Sequence, residues 1–146
     1  METNTPQIDW KHGSWEASNA GRPAADILIA GDWAPIRDFS DIILANPKSI
    51  YGDLLPTLQS CHLRIVNLEC PLADTGAPAP KSGAVFKGLS AHISGLTTIP
   101  FEVATLGNNH VFDYGVDAFV QTQNLLQRHG IQSTGAGMSL AEAEKP

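Results

Sequence analysis

The sequence predicts an α/β protein built on a parallel β-sheet. Four short apolar segments rich in β-branched residues alternate with segments whose apolar residues recur at helical spacing. Such alternation is typical of parallel strands joined by right-handed crossovers. The first three of these strand-like segments also run directly into polar residues, and in this fold class ligands bind at the carboxyl ends of the strands.

The individual strands and helices follow from the period of their apolar residues. Strands are predicted over 26–32, 63–68 and 103–106, with a fourth beginning at 131–133. Helices are predicted over 39–45, 49–60, 90–96, 116–129 and 140–144. Pro56 should kink or restart the second helix, Gly130 should cap the fourth and Ser139 should cap the last.

The chain divides into a polar arm and one domain. Residues 1–25 show no sustained period and are predicted to be a flexible N-terminal arm, whereas residues 26–146 are predicted to form a partial α/β domain. Of the 146 residues 42% are hydrophobic and 16% are charged, which suits one domain with a substantial core. Residues 73–84 are rich in glycine, proline and alanine, so they are predicted to be a long surface loop that could serve as a lid or binding loop.

Charge and apolar run length argue against several classes of protein. The net charge of −6 argues against a nucleic-acid binder and against docking on an anionic membrane surface. No apolar run approaches the roughly 18 residues that a membrane span requires. The N-terminus lacks the basic flank and following apolar stretch of a secretory signal peptide. Cytoplasmic residence is therefore the default expectation.

The two cysteines are expected to be reduced thiols. Cys61 and Cys70 flank a predicted strand, and an extended strand would hold them too far apart to bond. Neither belongs to a CxxC pair, so a zinc knot is not expected.

Polar residues of a type that supports metal and proton chemistry follow three of the predicted strands. Asp32, Glu69 and the pair Asn109-His110 stand at the three strand ends, which parallel strands bring to one edge. Carboxylate and amide oxygens suit Mn, Mg, Fe or Zn, so Asp32, Glu69 and Asn109 are candidate metal ligands. His110 could hydrogen-bond the substrate or protonate a leaving oxygen, and Asp113 could hold its imidazole in one tautomer. Taken singly, each of these residues could equally be an ordinary turn or capping residue.

Three motifs resemble the CapA-type capsule-biosynthesis proteins. They are Gly31-Asp32, Asn67-Leu68-Glu69-Cys70-Pro71-Leu72 and the segment from Gly107 to Gly115, which reads Gly-Asn-Asn-His-Val-Phe-Asp-Tyr-Gly. Those proteins are linked to poly-γ-glutamate synthesis and belong to the calcineurin-like metallophosphoesterase superfamily. The resemblance, which runs from about residue 27 to 146, implies a metallophosphatase-like four-layer α/β sandwich of which this chain carries the N-terminal half.

The resemblance also implies roles for the strand-end residues. Asp32 would ligate the first of two divalent metal ions, Glu69 would bridge them and Asn109 would bind the second. His110 and Asp113 would be the catalytic residues, and the substrate would be phosphate-containing or related to polyglutamate. The histidine that usually follows the superfamily's aspartate by two residues is Ala34 here.

The same resemblance implies an incomplete site. The family supplies further histidine ligands from later strands, and three side chains are too few for two metal ions. We therefore expect a fragment or truncated relative that binds metal weakly and turns over little or nothing. A sheet face without its cover would favour a homodimer.

Two other interpretations remain open at this point. One is a non-catalytic assembly or polymer-handling module of the capsule machinery. The other takes Gly135-Ala136-Gly137 before the last helix as the phosphate-binding loop of a nucleotide fold, although the third glycine of that motif is absent.

Overall fold

The computed structural model describes residues 7–9, 11, 14–16 and 25–145. An antiparallel pair joins β1 (Gln7–Asp9) to β2 (Ser14–Glu16). The main sheet has four parallel strands: β3 (Ile27–Trp33), β4 (Leu63–Leu68), β5 (Val103–Thr105) and β6 (Gln132–Thr134), which lie side by side in that order. The predicted α/β class is confirmed, and its strands fall within about two residues of the predicted bounds. Residues 1–6, 10, 12–13 and 17–24 of the predicted arm lie outside the described residues.

Five α-helices accompany the strands. They are α1 (Asp38–Ala45), α2 (Leu55–Ser60), α3 (Ile93–Thr98), α4 (Gly115–Arg128) and α5 (Leu140–Ala143). Short 3₁₀ helices at Gly52–Leu54 and Ser90–His92 lead into α2 and α3. Pro56 restarts the second predicted helix, because it falls in the first turn of α2, where a missing N–H breaks no helical hydrogen bond. None of the described helices is long and apolar enough to cross a membrane.

The crossovers bury one face of the main sheet. Because each strand is added on the same side of the previous one, right-handed connections carry all the intervening helices to the same face. Along β4, Arg64, Val66 and Leu68 are buried while the residues between them are half-buried. The core on the helical face contains Leu72, Leu96, Ile99, Phe101, Ala104, Leu106, Phe119, Leu125, Leu126 and Ile131.

The opposite face carries an apolar row that is exposed at its β3 end and half-buried at Ile65 and Val103. Ile29 pairs in register with Ile65, which pairs with Val103, so the three side chains lie on one face across three strands. Ile29 is 75% exposed and Ile27, in the same strand, is 57% exposed. Among the described residues nothing covers this end of the sheet.

A bulge in β3 places Asp32 on the open face. Ile29 pairs with Ile65 but Asp32 pairs with Asn67, so β3 has one residue more than β4 between the two pairs. Without that extra residue, strict alternation would turn Asp32 towards the helices. The bulge instead puts it in a polar row with Asn67 and Thr105, which pair in register.

Both cysteines are free thiols, as predicted. Cys70 is buried, and burial raises the pKa of its thiol to about 12. Cys61 is half-buried. Cys70 therefore behaves as a small core residue that is not available for chemistry.

Candidate functional site at the strand ends

Two carboxylates at the strand ends share one amide donor. The Asn67 side-chain nitrogen Nδ2 donates to Asp32 Oδ1 at 2.8 Å and to Glu69 Oε2 at 2.6 Å. Asp32 and Glu69 belong to the ends of neighbouring strands, so the parallel pairing of β3 with β4 brings them together. The structure therefore places Asp32 and Glu69 side by side at one rim of the sheet.

The Asn67 amide is itself held in one orientation. Its Oδ1 accepts from Thr105 Oγ1 at 3.2 Å and from Asn108 Nδ2 at 3.1 Å. With donors on its oxygen side, its NH₂ group must face the two carboxylates. Asn108 also donates to the Leu68 carbonyl at 2.9 Å and accepts from the His110 backbone N–H at 3.0 Å, so it ties the turn after β5 to the end of β4.

His110 and Asp113 form a pair beside these carboxylates. The His110 Nδ1 lies 2.6 Å from Asp113 Oδ2, and its Nε2 lies 3.9 Å from Glu69 Oε1. An ionised carboxylate can only accept hydrogen bonds. Nδ1 therefore carries the ring proton and donates a hydrogen bond to Asp113. The other nitrogen, Nε2, is left on the side of Glu69, where a ligand at the rim would meet it.

The loop of residues 73–87 supplies a cation to this pair. Leu72 and Gly88 form a parallel bridge that closes the base of the loop. From the loop, Lys81 Nζ donates to Asp113 Oδ1, and it also donates to the Asn109 carbonyl at 3.2 Å. The ammonium lies 3.2 Å from His110 Nδ1 as well, but that nitrogen already donates to Asp113.

Asp113 is the point at which the loop and the histidine turn are joined. Its side chain is 1% exposed, and its Oδ2 also accepts from the Phe86 backbone N–H at 2.7 Å. Its own carbonyl accepts from the Ala79 N–H at 2.7 Å. Burial alone would raise the pKa of Asp113, but the hydrogen bonds from Lys81, His110 and Phe86 outweigh it and lower that pKa below its usual value.

A cavity of about 400 Å³ opens between the loop and the histidine. It is lined by Lys81, Ser82, Gly83, Ala84, Phe86, Asn109 and His110. The Phe86 ring stacks on the His110 imidazole with centroids 4.3 Å apart and planes 30° apart. The loop therefore forms one wall of the candidate site.

Asn109 occupies a different position from the other predicted metal ligands. It is exposed and lines the loop cavity, whereas the side chain that joins the Asp32–Glu69 network is that of Asn108. Within the described part of the chain, no three His, Cys, Asp or Glu side chains are grouped so that they could hold a metal ion. The oxygen donors are of the right kind for a divalent cation, but they are too few to make a metal centre by themselves.

Sequence reasoning overlooked the roles of several residues in this site. Asn67, Lys81, Phe86 and Asn108 all take part in it. Lys81 had the clearest signal in the sequence, as the single cation in the predicted loop 73–84. Asn67 also had one, as a polar residue in a mainly apolar strand, two positions before Glu69.

The glycines of the Gly135-Ala136-Gly137 segment have a structural explanation. Gly135 lies so close to Gly107, at the neighbouring strand end, that a Cβ on Gly107 would approach the Gly135 carbonyl oxygen to 3.0 Å. Gly135 also has a φ of 86°, which favours glycine. The following helix, α5, has four residues only. Gly135 therefore lets two strand ends approach each other, and a Cβ on Gly137 would lie 2.4 Å from Glu142 Cβ in α5. Backbone packing thus explains both glycines without a phosphate-binding loop.

These features define an α/β protein whose candidate site is built at the carboxyl ends of parallel strands and closed on one side by a loop. Comparison with known proteins then gives the family. Residues 26–146 match the family model of the bacterial capsule synthesis protein PGA_cap, and the chain belongs to that family.

Two curated relatives come from Mycobacterium tuberculosis, strains CDC 1551 / Oshkosh and ATCC 25618 / H37Rv. Each is described as a probable polyglutamine synthesis accessory protein. Each is 29% identical to this chain over 97 residues, which are 65% of this chain and 26% of the relative. The matched region thus spans about a quarter of the length of these relatives.

Proposed function

We propose that this chain carries part of a metal-dependent hydrolase site of the metallophosphatase type, used in the synthesis or processing of a poly-γ-glutamate capsule polymer. The substrate would be phosphate-containing or related to polyglutamate. The observation that carries the proposal is the meeting of Asp32, Glu69 and the His110–Asp113 pair at one rim. Membership of a capsule synthesis family and the names of the two relatives support the biological setting.

His110 is the group that would handle the proton. Its Nδ1 is committed to Asp113, so Nε2 is the nitrogen available to hydrogen-bond a substrate oxygen or to protonate a leaving group. Asp113 would keep the ring in that tautomer and orientation. Lys81 would hold Asp113 ionised and keep the loop against the site.

Asp32, Glu69 and Asn109 are the residues that would hold divalent metal ions, of which the complete site would bind two. Mn, Mg, Fe and Zn all accept such oxygen donors. Bound metal would supply an activated water and positive charge for a developing oxyanion. Since the described residues do not complete a metal site, further donors must come from outside them, and we expect this chain alone to bind metal weakly.

Calorimetric titration with Mn²⁺ and Zn²⁺ tests the metal part of the proposal. We expect weak binding that Asp32→Asn and Glu69→Gln abolish, whereas Asp53→Asn, an exposed acid in a 3₁₀ helix, leaves it unchanged. Hydrolysis of a phosphodiester and of a γ-linked glutamate oligomer should be slow or absent in this chain. A robust phosphodiesterase rate that disappears in Asn109→Ala would overturn the view that the site is incomplete. Equal binding by the wild type and by the Asp32→Asn and Glu69→Gln variants would overturn the ligand assignment.

A second candidate function is a non-catalytic one, in which the domain handles or assembles the capsule polymer. The Asn67 amide already satisfies one oxygen of each strand-end carboxylate, so the cluster has a stable arrangement without a cation. Calorimetric silence towards Mn²⁺ and Zn²⁺, together with binding of the γ-linked glutamate oligomer, would favour this function over the first.

A further inference from the structure

A second cavity, of about 460 Å³, shares the Phe86 side chain with the His110 cavity. Its lining includes Arg37, Asp41, Phe86, Lys87 and Tyr114. Its walls come from the segment that follows β3, from the start of α1 and from the end of the loop. Two neighbouring cavities thus meet at the aromatic ring that stacks on His110.

Three of the cations of this acidic chain line the two cavities beside Phe86. The whole chain has nine Lys and Arg residues and a net charge of −6. Three of the nine line these two cavities: Lys81 in the first, where Asp113 balances its charge, and Arg37 and Lys87 in the second. The lining of the second cavity contains one carboxylate, Asp41, beside these two cations, and Asp74 interacts electrostatically with Lys87 from outside that lining. In a protein of negative net charge, two cations that line one cavity favour an anionic ligand.

Arg37 holds a strained backbone conformation at this cavity. Its φ is 54° with a ψ of −136°, and it is the one non-glycine residue with positive φ in the described ranges. Glycine adopts this conformation without cost, and arginine does not. The side chain is exposed and makes no capping hydrogen bond to α1, so neither packing nor capping accounts for an arginine here. Strained residues of this kind cluster at ligand clamps.

Lys87 is held on the motif that carries the candidate catalytic pair. Its Nζ lies 4.7 Å from the centroid of the Tyr114 ring, a cation–π contact. Tyr114 directly follows Asp113 in the sequence. The ammonium group is therefore fixed next to the site, and the aromatic face leaves its N–H donors available to a ligand.

We propose that Arg37 and Lys87 form an anion subsite for an extended acidic polymer, which crosses Phe86 with one acidic group in each cavity. The anionic character of the ligand rests on the arrangement of cations. The choice of a carboxylate polymer over a phosphate polymer rests on the proposed function. An arginine guanidinium binds either anion in a bidentate manner, so experiment must separate the two.

Calorimetry with the whole chain in metal-free buffer tests the subsite without any catalytic step. The probes are L-glutamate, a γ-linked glutamate tetramer, inorganic phosphate and a four-nucleotide phosphodiester. The tetramer should bind at least about tenfold more tightly than the monomer, because it places charges in both cavities. Arg37→Gln and Lys87→Met should each weaken tetramer binding by about tenfold. Lys48→Met, an exposed lysine outside both cavities, should leave it unchanged.

Arg37→Gly separates a binding role from a structural one. If the strain is retained for a ligand, this variant should unfold at a temperature equal to or above that of the wild type and still lose the tetramer affinity. Unchanged affinity in the Arg37 and Lys87 variants, or an equal loss in Lys48→Met, would overturn the subsite. Tighter binding of the phosphodiester than of the glutamate tetramer would overturn the choice of polymer. Failure of metal binding or hydrolysis would leave these results intact, so the two proposals fail separately.

Discussion

His110 Nδ1 lies 2.6 Å from Asp113 Oδ2, and the carboxylate that receives this hydrogen bond is almost completely buried. The same carboxylate accepts from Lys81 and from the Phe86 N–H, both in the loop of residues 73–87. One buried side chain thus orients the imidazole and fixes the loop that forms the wall of its cavity. A change at Asp113 should for this reason affect both the orientation of His110 and the position of the loop.

Asp113→Asn should loosen the loop and destabilise the fold together. The amide cannot accept from three donors, and Lys81 loses its counter-charge, so we expect the free energy of unfolding to fall by about 2–4 kcal/mol. Chemical denaturation measures the loss, and hydrogen exchange should become faster at Ala79 and Phe86, whose N–H groups bond to Asp113. Asp117→Asn, an exposed acid in the first turn of α4, should cost less than about 1 kcal/mol. Equal losses in the two variants would contradict this role of Asp113.

Alanine substitution should reduce the stability of the protein at Asn108 but not at Asn109. The Asn108 side chain joins Asn67, the Leu68 carbonyl and the His110 N–H, so Asn108→Ala should destabilise the protein by about 1–3 kcal/mol. Asn109 is exposed, so Asn109→Ala should change stability by less than about 0.5 kcal/mol. If Asn109 is a metal ligand, Asn109→Ala should weaken Mn²⁺ binding while leaving stability almost unchanged. Thermal denaturation with parallel metal titrations measures both effects, and a destabilised Asn109→Ala protein would count against this division.

The fold was largely predictable because its strands are short and mainly apolar. The segment 63–68 was predicted with the bounds that β4 has in the structure, since six residues with one buried face give a clear signal. The tightening to 3₁₀ helices before α2 and α3 was not predicted. Those short turns depend on how the chain docks on the sheet, and hydropathy does not encode this.

The site was predictable in its composition but not in its geometry. Asp32 reaches the open face through a bulge that simple alternation in the sequence does not reveal. Lys81 and Asp113 are 32 residues apart, so no local pattern joins them. Asn108 and Asn109 are chemically identical, and the turn after β5 alone decides which of them meets Asn67. Resemblance to a family points to the residue types, while tertiary packing determines the contacts.

His92 should make stability depend on pH in the weakly acidic range. This ring is 1% exposed; its Nδ1 accepts from the Leu89 N–H at 2.8 Å, so its Nε2 donates to Ser40 Oγ at 3.0 Å. Burial lowers the pKa of His92 below that of the unfolded chain, and its hydrogen bonds offset this in part. The unfolded state therefore takes up the proton first, and stability is complete above pH of about 6.5 and falls as the pH drops towards the folded pKa.

His92→Gln should flatten that dependence. Denaturation curves between pH 5 and 7.5 should show the wild type losing up to about 1.4 kcal/mol per pH unit more than the variant. His129→Gln, at an exposed position at the end of α4, should keep the wild-type slope. A wild-type slope in His92→Gln would assign the effect to another group.

The open face of the main sheet should drive self-association. Ile29, Ile65 and Val103 form an apolar row there, and Ile29 is 75% exposed. Contiguous exposed apolar surface of this kind favours association, and we propose a homodimer that buries this row. Ile29→Lys should abolish the association at little cost in stability, because the side chain is mostly in solvent already. Leu140→Lys is the matched control, since Leu140 is 74% exposed but lies on α5. Light scattering from micromolar to millimolar concentration measures both variants; a wild-type protein that stays monomeric throughout, or an equal effect of the two substitutions, would rule the sheet face out as the contact.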